Sequence, residues 1–232
     1  MNPSRFSKAD RTTAISVEGQ GSAEPRWPVL LAVVALVGLQ AALPSTLLMG
    51  GSRWIPVGSV LVLLVPTIIL HRNGVHSLDQ VLGYILNGVV TLTMIWSLIL
   101  LIESLPAHLE TPQQLLESAA ALWGSNILVF AAWYWRLDAG GPHQRRLTRG
   151  HTDGAFLFPQ MAMPREAKIA ANEEDWEPHF IDYLFLAFNT STAFSPTDTA
   201  VLSRWAKILV MLQSIISLLV IALLAARAVN VL

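Results

Sequence analysis

Oxygen-bearing side chains are concentrated in one short stretch near the C-terminal end of an otherwise apolar chain. The stretch contains Thr190, Thr192, Ser195, Thr197 and Asp198. Hydroxyl, carboxylate and backbone carbonyl oxygens are hard ligands that can replace part of the hydration shell of a cation. If these residues carry a function, we expect contact with an ion or a small polar solute.

The same residues have a purely structural interpretation. Ser195-Pro196-Thr197-Asp198 has the form of a capping box, with Ser at the N-cap, Pro at the first helical position and an acid three residues after the Ser. The hydroxyls of residues 190–192 could satisfy the backbone where a preceding helix ends. The sequence leaves both interpretations open.

Other chemistry has little support in the sequence. The chain has no Cys, which excludes disulfides, thiolate metal sites and thiol nucleophiles. His71 and His76 are five residues apart and lack the i, i+4 spacing of a helical zinc pair, and His143 and His151 lie in a Gly- and Pro-containing stretch. We therefore predict that the protein is not an enzyme and holds no metal or cofactor. A net charge of -1 likewise gives no nucleic-acid signal.

The composition indicates a membrane protein. Hydrophobic residues make up 53% of the chain and charged residues only 13%, against about 25% charged residues in soluble domains. Uncharged runs occupy residues 28–49, 54–70, 80–102 and 208–226, and a further apolar helix is expected over 112–135. Residues 183–197 form an uncharged stretch that is too short to cross a bilayer comfortably. We predict an all-α polytopic fold of about five transmembrane helices plus one re-entrant or interfacial half-helix.

Local signals predict how these helices begin and end. Thr111-Pro112-Gln113-Gln114 reads as a capping box, Ser77 as an N-cap, and Pro44 as a kink near the end of the first span. Residues 133–135, Trp-Tyr-Trp, read as an aromatic belt at the membrane surface. The second run, 54–70, contains two prolines, and the alternative is that the first two runs form a hairpin that does not fully cross.

Four regions follow from these patterns. Residues 1–26 form a polar tail, predicted to be disordered and cytoplasmic, and residues 27–136 form a four-span membrane region. Residues 137–177 read as a soluble cytoplasmic connector without the alternating pattern of a folded domain, and residues 178–232 contain the half-helix, the break and the last span.

The positions of Lys and Arg predict the orientation in the membrane. Thirteen of the 15 basic residues fall in the tail, in the loop between the second and third runs, and in the segment from residue 136 to residue 207. Only Arg53 and Arg227 fall on the opposite side. Because short cytoplasmic loops are enriched in Lys and Arg, we expect a cell-membrane protein with a cytoplasmic N-terminus, provided that the half-helix enters and leaves on one side.

Polar residues inside the predicted spans fit helix packing better than solute binding. Gly83, Asn87 and Thr91 lie one turn apart on a narrow face of the third span. We interpret the polar residues of the last and fourth spans in the same way: Gln213, Ser214, Ser217, Ser125 and Asn126.

The stretch Ala187-Phe-Asn-Thr-Ser-Thr-Ala-Phe-Ser-Pro-Thr-Asp198, followed by an apolar helix, resembles the pore loop of potassium channels. In that register Thr190 and Thr192 fall on the pore-helix threonines and Asp198 on the acidic residue after the filter, while Ser195 and Thr197 replace the filter glycines. The channels insert this loop from outside, whereas the charge pattern predicts entry from the cytoplasm. More widely, residues 126–232 resemble uncharacterised bacterial integral membrane proteins with a pore-loop-like C-terminus.

Two functions remain open at this stage. The resemblance implies an ion-channel-like or small-solute transport protein, whose partners would be the lipid bilayer, a monovalent cation and further copies of the chain, since one loop cannot enclose a pore. The alternative is a non-transporting membrane subunit or scaffold that binds a partner through its connector.

Overall fold

The computed structural model describes residues 27–52, 54–72, 76–107, 111–147, 154–174, 176–196 and 198–229. The predicted disordered tail, residues 1–26, and Thr197 lie outside the described residues. The long helices are α1 (Trp27–Ala42), α2 (Trp54–Arg72), α3 (His76–Ala107) and α4 (Pro112–Leu137). Shorter elements follow: α5 (Pro142–Leu147), β1 (Phe156–Leu157), α6 (Pro159–Ala162) and α7 (Arg165–Ala171). The chain ends in α8 (Phe180–Ala193), β2 (Ala200–Val201) and α9 (Arg204–Val229).

Three helical stretches of the described chain are long and apolar enough to cross a membrane: Gln80–Ser104, Pro112–Gly140 and Arg204–Ala225. The apolar helices Trp27–Ala42 and Val57–Thr67 are shorter. At 1.5 Å per residue α1 is about 24 Å long, less than the roughly 30 Å of a hydrocarbon core. The mostly helical fold with helices long and apolar enough to cross a membrane is therefore confirmed, and the count of five spans stays a prediction.

The predicted cap of α4 is correct, whereas two other predicted boundaries are wrong. Thr111 Oγ1 accepts the backbone N–H of Gln114, and Gln114 Oε1 accepts that of Thr111, so both halves of the capping box form. The first helix does not continue through Pro44 with a kink but ends at Ala42, because Pro lacks an N–H and disfavours helical geometry in the residue before it. Helix α3 begins at His76, so Ser77 lies inside it.

Helix α4 lies at the centre of the bundle and packs against α1, α3, α8 and α9, while α2 packs on α3. The prediction of an aromatic belt at its end is wrong for Tyr134 and Trp135, which are both buried. The half-helix α8 and the connector cover that end of α4, so these rings face protein. Trp133 is partly buried and stacks on Tyr84 with ring centroids 6.3 Å apart.

The connector contains regular structure, although its sequence lacks the alternating pattern of a folded domain. Its described residues form α5, β1, α6 and α7, and they bury Phe156 and Phe158 at the end of the helix bundle. Arg145 of the connector is only 6% exposed and donates to the backbone carbonyls of Trp135 and Asp138. A few large aromatic side chains supply the buried apolar area of the segment, and its average composition does not reveal them.

Candidate functional site

Helix α8 runs beside α4 in the opposite direction and stops part of the way along it. At its start, Phe180 contacts Trp135 edge to face with centroids 6.0 Å apart. Near its end, Ser191 Oγ lies 3.4 Å from the amide nitrogen of Asn126. Fourteen residues of helix extend about 21 Å, which matches the roughly 18 Å between residues 126 and 138 along α4.

The chain then returns to the end from which it came. Strand β2 pairs antiparallel with β1, and Leu202 donates its N–H to the carbonyl of Ala155. Ala155 in turn donates its own N–H to the carboxylate of Asp138, at the end of α4. Residues 194–199 join the end of α8 to β2. We call α8 together with this return limb, residues 194–199, the re-entrant hairpin, because both its ends lie at the Asp138 end of α4.

A network of buried side chains fixes the tip of the re-entrant hairpin between α4 and α9. Gln213 donates to the carbonyl of Ala187 at 2.7 Å and to Ser191 Oγ at 2.9 Å, while Tyr134 donates to Gln213 Oε1 at 2.6 Å. Asn126 donates to Ser217 Oγ at 2.8 Å. The side chains of this tip network are fully buried. Hydrogen bonds between helices in such a dry setting oppose sliding or withdrawal of α8.

The prediction that polar residues on the fourth and last spans serve helix packing is confirmed for Asn126, Gln213 and Ser217, which join α4, α8 and α9. The sequence places Tyr134 at the membrane surface and does not predict its bond to Gln213. The spacing of eight residues between Asn126 and Tyr134 is the available signal, because it places the two side chains about 80° apart, within one broad face of a helix.

The five predicted ion-contacting residues do not share one environment. Thr190 is fully buried and its hydroxyl donates to the carbonyl of Leu186 at 2.8 Å. Thr192 is exposed and donates to the carbonyl of Phe188 at 3.0 Å. Ser195 and Asp198 are exposed on the return limb. The described break therefore presents Thr192, Ser195 and Asp198 outward and holds Thr190 inside.

The interpretation of Ser195 as the cap of the last helix is wrong. Helix α9 begins at Arg204, and β2 lies between it and Ser195. Ser203 is the residue that caps α9, since its Oγ accepts the N–H of Ala206 at 3.3 Å. The local pattern at Ser195 does not start a helix, because Thr199 donates its N–H to the carbonyl of Pro196 in a turn and pairing with β1 then begins an extended strand at Ala200.

A second polar cluster lies where the re-entrant hairpin begins. Asp138 is completely buried, and its carboxylate accepts the hydroxyl of Tyr183 at 2.6 Å and the N–H of Ala155 at 2.5 Å. The guanidinium of Arg145 lies 5.1 Å from the ring centroid of Tyr183. Asp138, the first residue after α4, was counted with the connector, and nothing local distinguishes it from a solvated loop residue.

The predicted polar face of α3 lies against α4. Thr91 Oγ1 accepts the indole N–H of Trp133 at 2.9 Å, and a Cβ added at Gly83 would overlap the guanidinium of Arg136. Asn87 lines an otherwise apolar cavity of about 20 Å³ between α1, α3 and α4. That volume holds about one water molecule and is too small for a hydrated ion.

The described residues contain no group of three or more His, Asp or Glu side chains arranged to hold a metal ion. Comparison with protein-family models, with curated proteins and with solved structures found no match. The class that fold and site define is therefore a mostly helical protein whose described residues include three helices long and apolar enough to cross a membrane, with α8 and its return limb held by buried polar contacts.

Proposed function

We propose that this chain is a multi-pass protein of the cell membrane whose re-entrant hairpin lines a passage for a monovalent cation or a small polar solute. In this proposal the chain crosses five times with its N-terminus in the cytoplasm, and the hairpin enters from the cytoplasmic side. The charge distribution supports the orientation, since the positive-inside bias needs both ends of the hairpin on one side.

The observation that carries the proposal is the position of the break. Helix α8 ends beside Asn126, about 18 Å along α4 from Asp138, and the non-helical return limb begins there. Thr192 and Ser195 are exposed at this position. Within hydrocarbon, unpaired backbone is tolerated only when protein buries it or when it lines a water-filled cavity. A surface of hydroxyls and carbonyls at this depth is suited to a hydrated passage.

Further copies of the chain would complete such a passage. One chain offers a single hairpin, whose α8 exposes an apolar stripe formed by Ile181, Phe185 and Phe188. Their exposed fractions of 54%, 58% and 45% leave much of three large side chains without cover from the same chain. A homo-oligomer that buries these stripes would bring several breaks around one axis.

The alternative function, a non-transporting membrane subunit, is favoured by a different observation. In the tip network the amide of Gln213 bonds to Tyr134, Ala187 and Ser191, and Thr190 donates to its own helix, so these groups already have partners within the protein. In that case the apolar stripe of α8 receives a partner helix, and the exposed hydroxyls have no solute to contact.

Flux measurements on reconstituted variants separate the two functions. We expect Thr192→Ala and Asp198→Asn to change the ratio of potassium to sodium flux severalfold, because each removes an oxygen ligand from the exposed break. Both side chains are exposed, so each change should alter the free energy of unfolding by no more than about 0.5 kcal/mol.

Ser203→Ala is the matched control. It removes the hydroxyl that caps α9 outside the break, so we expect a stability loss of about 1 kcal/mol and an unchanged flux ratio. All variants are measured in proteoliposomes and by thermal unfolding of the same preparations. Absence of flux from the parent, or flux ratios that ignore Thr192 and Asp198, would reject the passage in favour of the membrane subunit.

A further inference from the structure

The return limb of the re-entrant hairpin is attached to the connector rather than to the membrane helices alone. Strand β2 follows it directly, and its register with β1 pairs Phe156 with Val201 and Leu157 with Ala200. One more backbone bond, from Leu202 to the carbonyl of Ala155, extends the ladder at 2.8 Å. The position of residues 200–202 therefore depends on where the connector places residues 155–157.

Asp138 links that ladder to the start of the same hairpin. One carboxylate oxygen accepts the N–H of Ala155 in the connector, and the other accepts the hydroxyl of Tyr183 in the first turns of α8. Both bonds lie in a fully buried site, where a hydrogen bond is stronger than it would be in water. Asp138 thus bonds directly to α8 and to the connector residue that accepts the N–H of Leu202, just after β2.

Aromatic contacts hold β1 in the same place. The ring of Phe156 contacts Tyr134, Tyr183 and Trp205 with centroid distances of 5.0, 6.3 and 6.2 Å. These three partners belong to α4, α8 and α9, the helices joined by the tip network. A short strand that contacts three helices and pairs with the return limb cannot move without disturbing the hairpin.

We propose that β1, Asp138 and Tyr183 form a clamp through which the cytoplasmic connector controls the re-entrant hairpin. Displacement of the connector would break the β1–β2 ladder, free the return limb and alter the passage. This inference rests on the proposed function for its effect on flux, whereas the mechanical link between connector and return limb can be tested without any flux.

Tyr183→Phe is the first variant, because it removes one hydroxyl and keeps the ring that contacts Phe156. We expect amide hydrogen exchange of residues 154–158 and 198–203 to accelerate severalfold, while the exchange of residues 80–104 in α3 stays unchanged. Tyr84→Phe is the matched control: its hydroxyl donates to the carbonyl of Arg136 at the same end of the bundle, outside the clamp. That control should leave both segments at the rate of the parent.

A disulfide across the ladder is the second variant. Leu157 and Ala200 are exposed register partners two positions from the hydrogen-bonded pair 155–202, so alternation makes them a hydrogen-bonded pair with about 5.5 Å between Cα atoms. That spacing suits a disulfide, and the native chain has no Cys to interfere. In the Tyr183→Phe background, oxidised Leu157→Cys with Ala200→Cys should restore the exchange rate and flux of the parent, and a reductant should abolish the rescue.

The outcomes separate the clamp from the passage. Unchanged exchange in Tyr183→Phe, or failure of the disulfide to restore it, would overturn the clamp whatever the flux. If exchange accelerates in Tyr183→Phe and the disulfide restores it, but no variant shows flux, the mechanical link is retained and the proposed passage is rejected. Flux that stays constant while the exchange of the return limb changes would reject control of the passage by the connector.

Discussion

Gln213 is the residue on which the tip of the re-entrant hairpin depends most. Its amide oxygen accepts the hydroxyl of Tyr134, and its amide nitrogen donates to α8 at two atoms. A fully buried amide with all these partners contributes little net energy while the network is complete. Removal of one member is costly, since the remaining polar atoms stay buried without partners.

We expect Gln213→Leu to lower the free energy of unfolding by about 1–3 kcal/mol, because Tyr134 loses its acceptor. Tyr134→Phe should have a similar cost, because the amide oxygen of Gln213 then loses its donor. The double variant should cost less than the sum of the two, since neither orphaned partner then remains. Thermal or denaturant unfolding in one detergent gives all three values, with Ser214→Ala, outside the network, as control. Additive costs would show that the two side chains are not coupled.

At the same scale, the sequence could predict which residues are polar in an apolar span but not what they contact. Asn126, Gln213 and Ser217 stand out because an amide or hydroxyl in hydrocarbon needs a partner. Asp138 and Tyr183 do not stand out, since an acid after a helix and a tyrosine in a short helix are ordinary. Their pairing is separated by 45 residues of sequence and depends on how α8 docks beside α4.

For the elements, local signals succeeded where only neighbouring residues decide the structure. The capping box at Thr111 forms within four residues and was predicted from them. The same motif at Ser195 failed because β2 pairs with a strand more than 40 residues earlier in the chain. The folded connector was missed for a related reason, as Phe156 and Phe158 are buried by helices distant in sequence.

The turn after α4 gives a prediction at the scale of the element. Gly141 has φ of +92°, and an added Cβ would lie 2.9 Å from the carbonyl oxygen of Arg136. Gly141→Ala should therefore destabilise the protein by at least about 1 kcal/mol, because it strains the turn that joins α4 to the connector. Gly88→Ala on α3 meets nothing within 4 Å and should be neutral or slightly stabilising. Equal melting temperatures for both variants would contradict this account of the turn.

For the whole molecule, hydrophobicity and length predicted the class of fold, because the bilayer imposes both on any spanning helix. They did not fix the number of crossings, since α1 and the apolar part of α2 are short and are flanked by prolines and glycines. The re-entrant path of the hairpin bears directly on this count. A segment that returns to its own side adds no crossing. Whether the total number of crossings is odd or even therefore depends on this segment.

Impermeant thiol labelling of single-Cys variants tests the five-crossing arrangement in intact cells, and the absence of native Cys removes background. We expect Ala107→Cys and Asn230→Cys to react from outside, because three and five crossings precede them. Ser22→Cys should react only after permeabilisation, because the positively charged tail favours the cytoplasm. External labelling of Ser22→Cys would reverse the orientation of the whole chain. Labelling of residues 107 and 230 from opposite sides would mean that the segment from Phe180 to Ser203 crosses the membrane, which would remove the re-entrant passage while leaving the buried contacts of α8 intact.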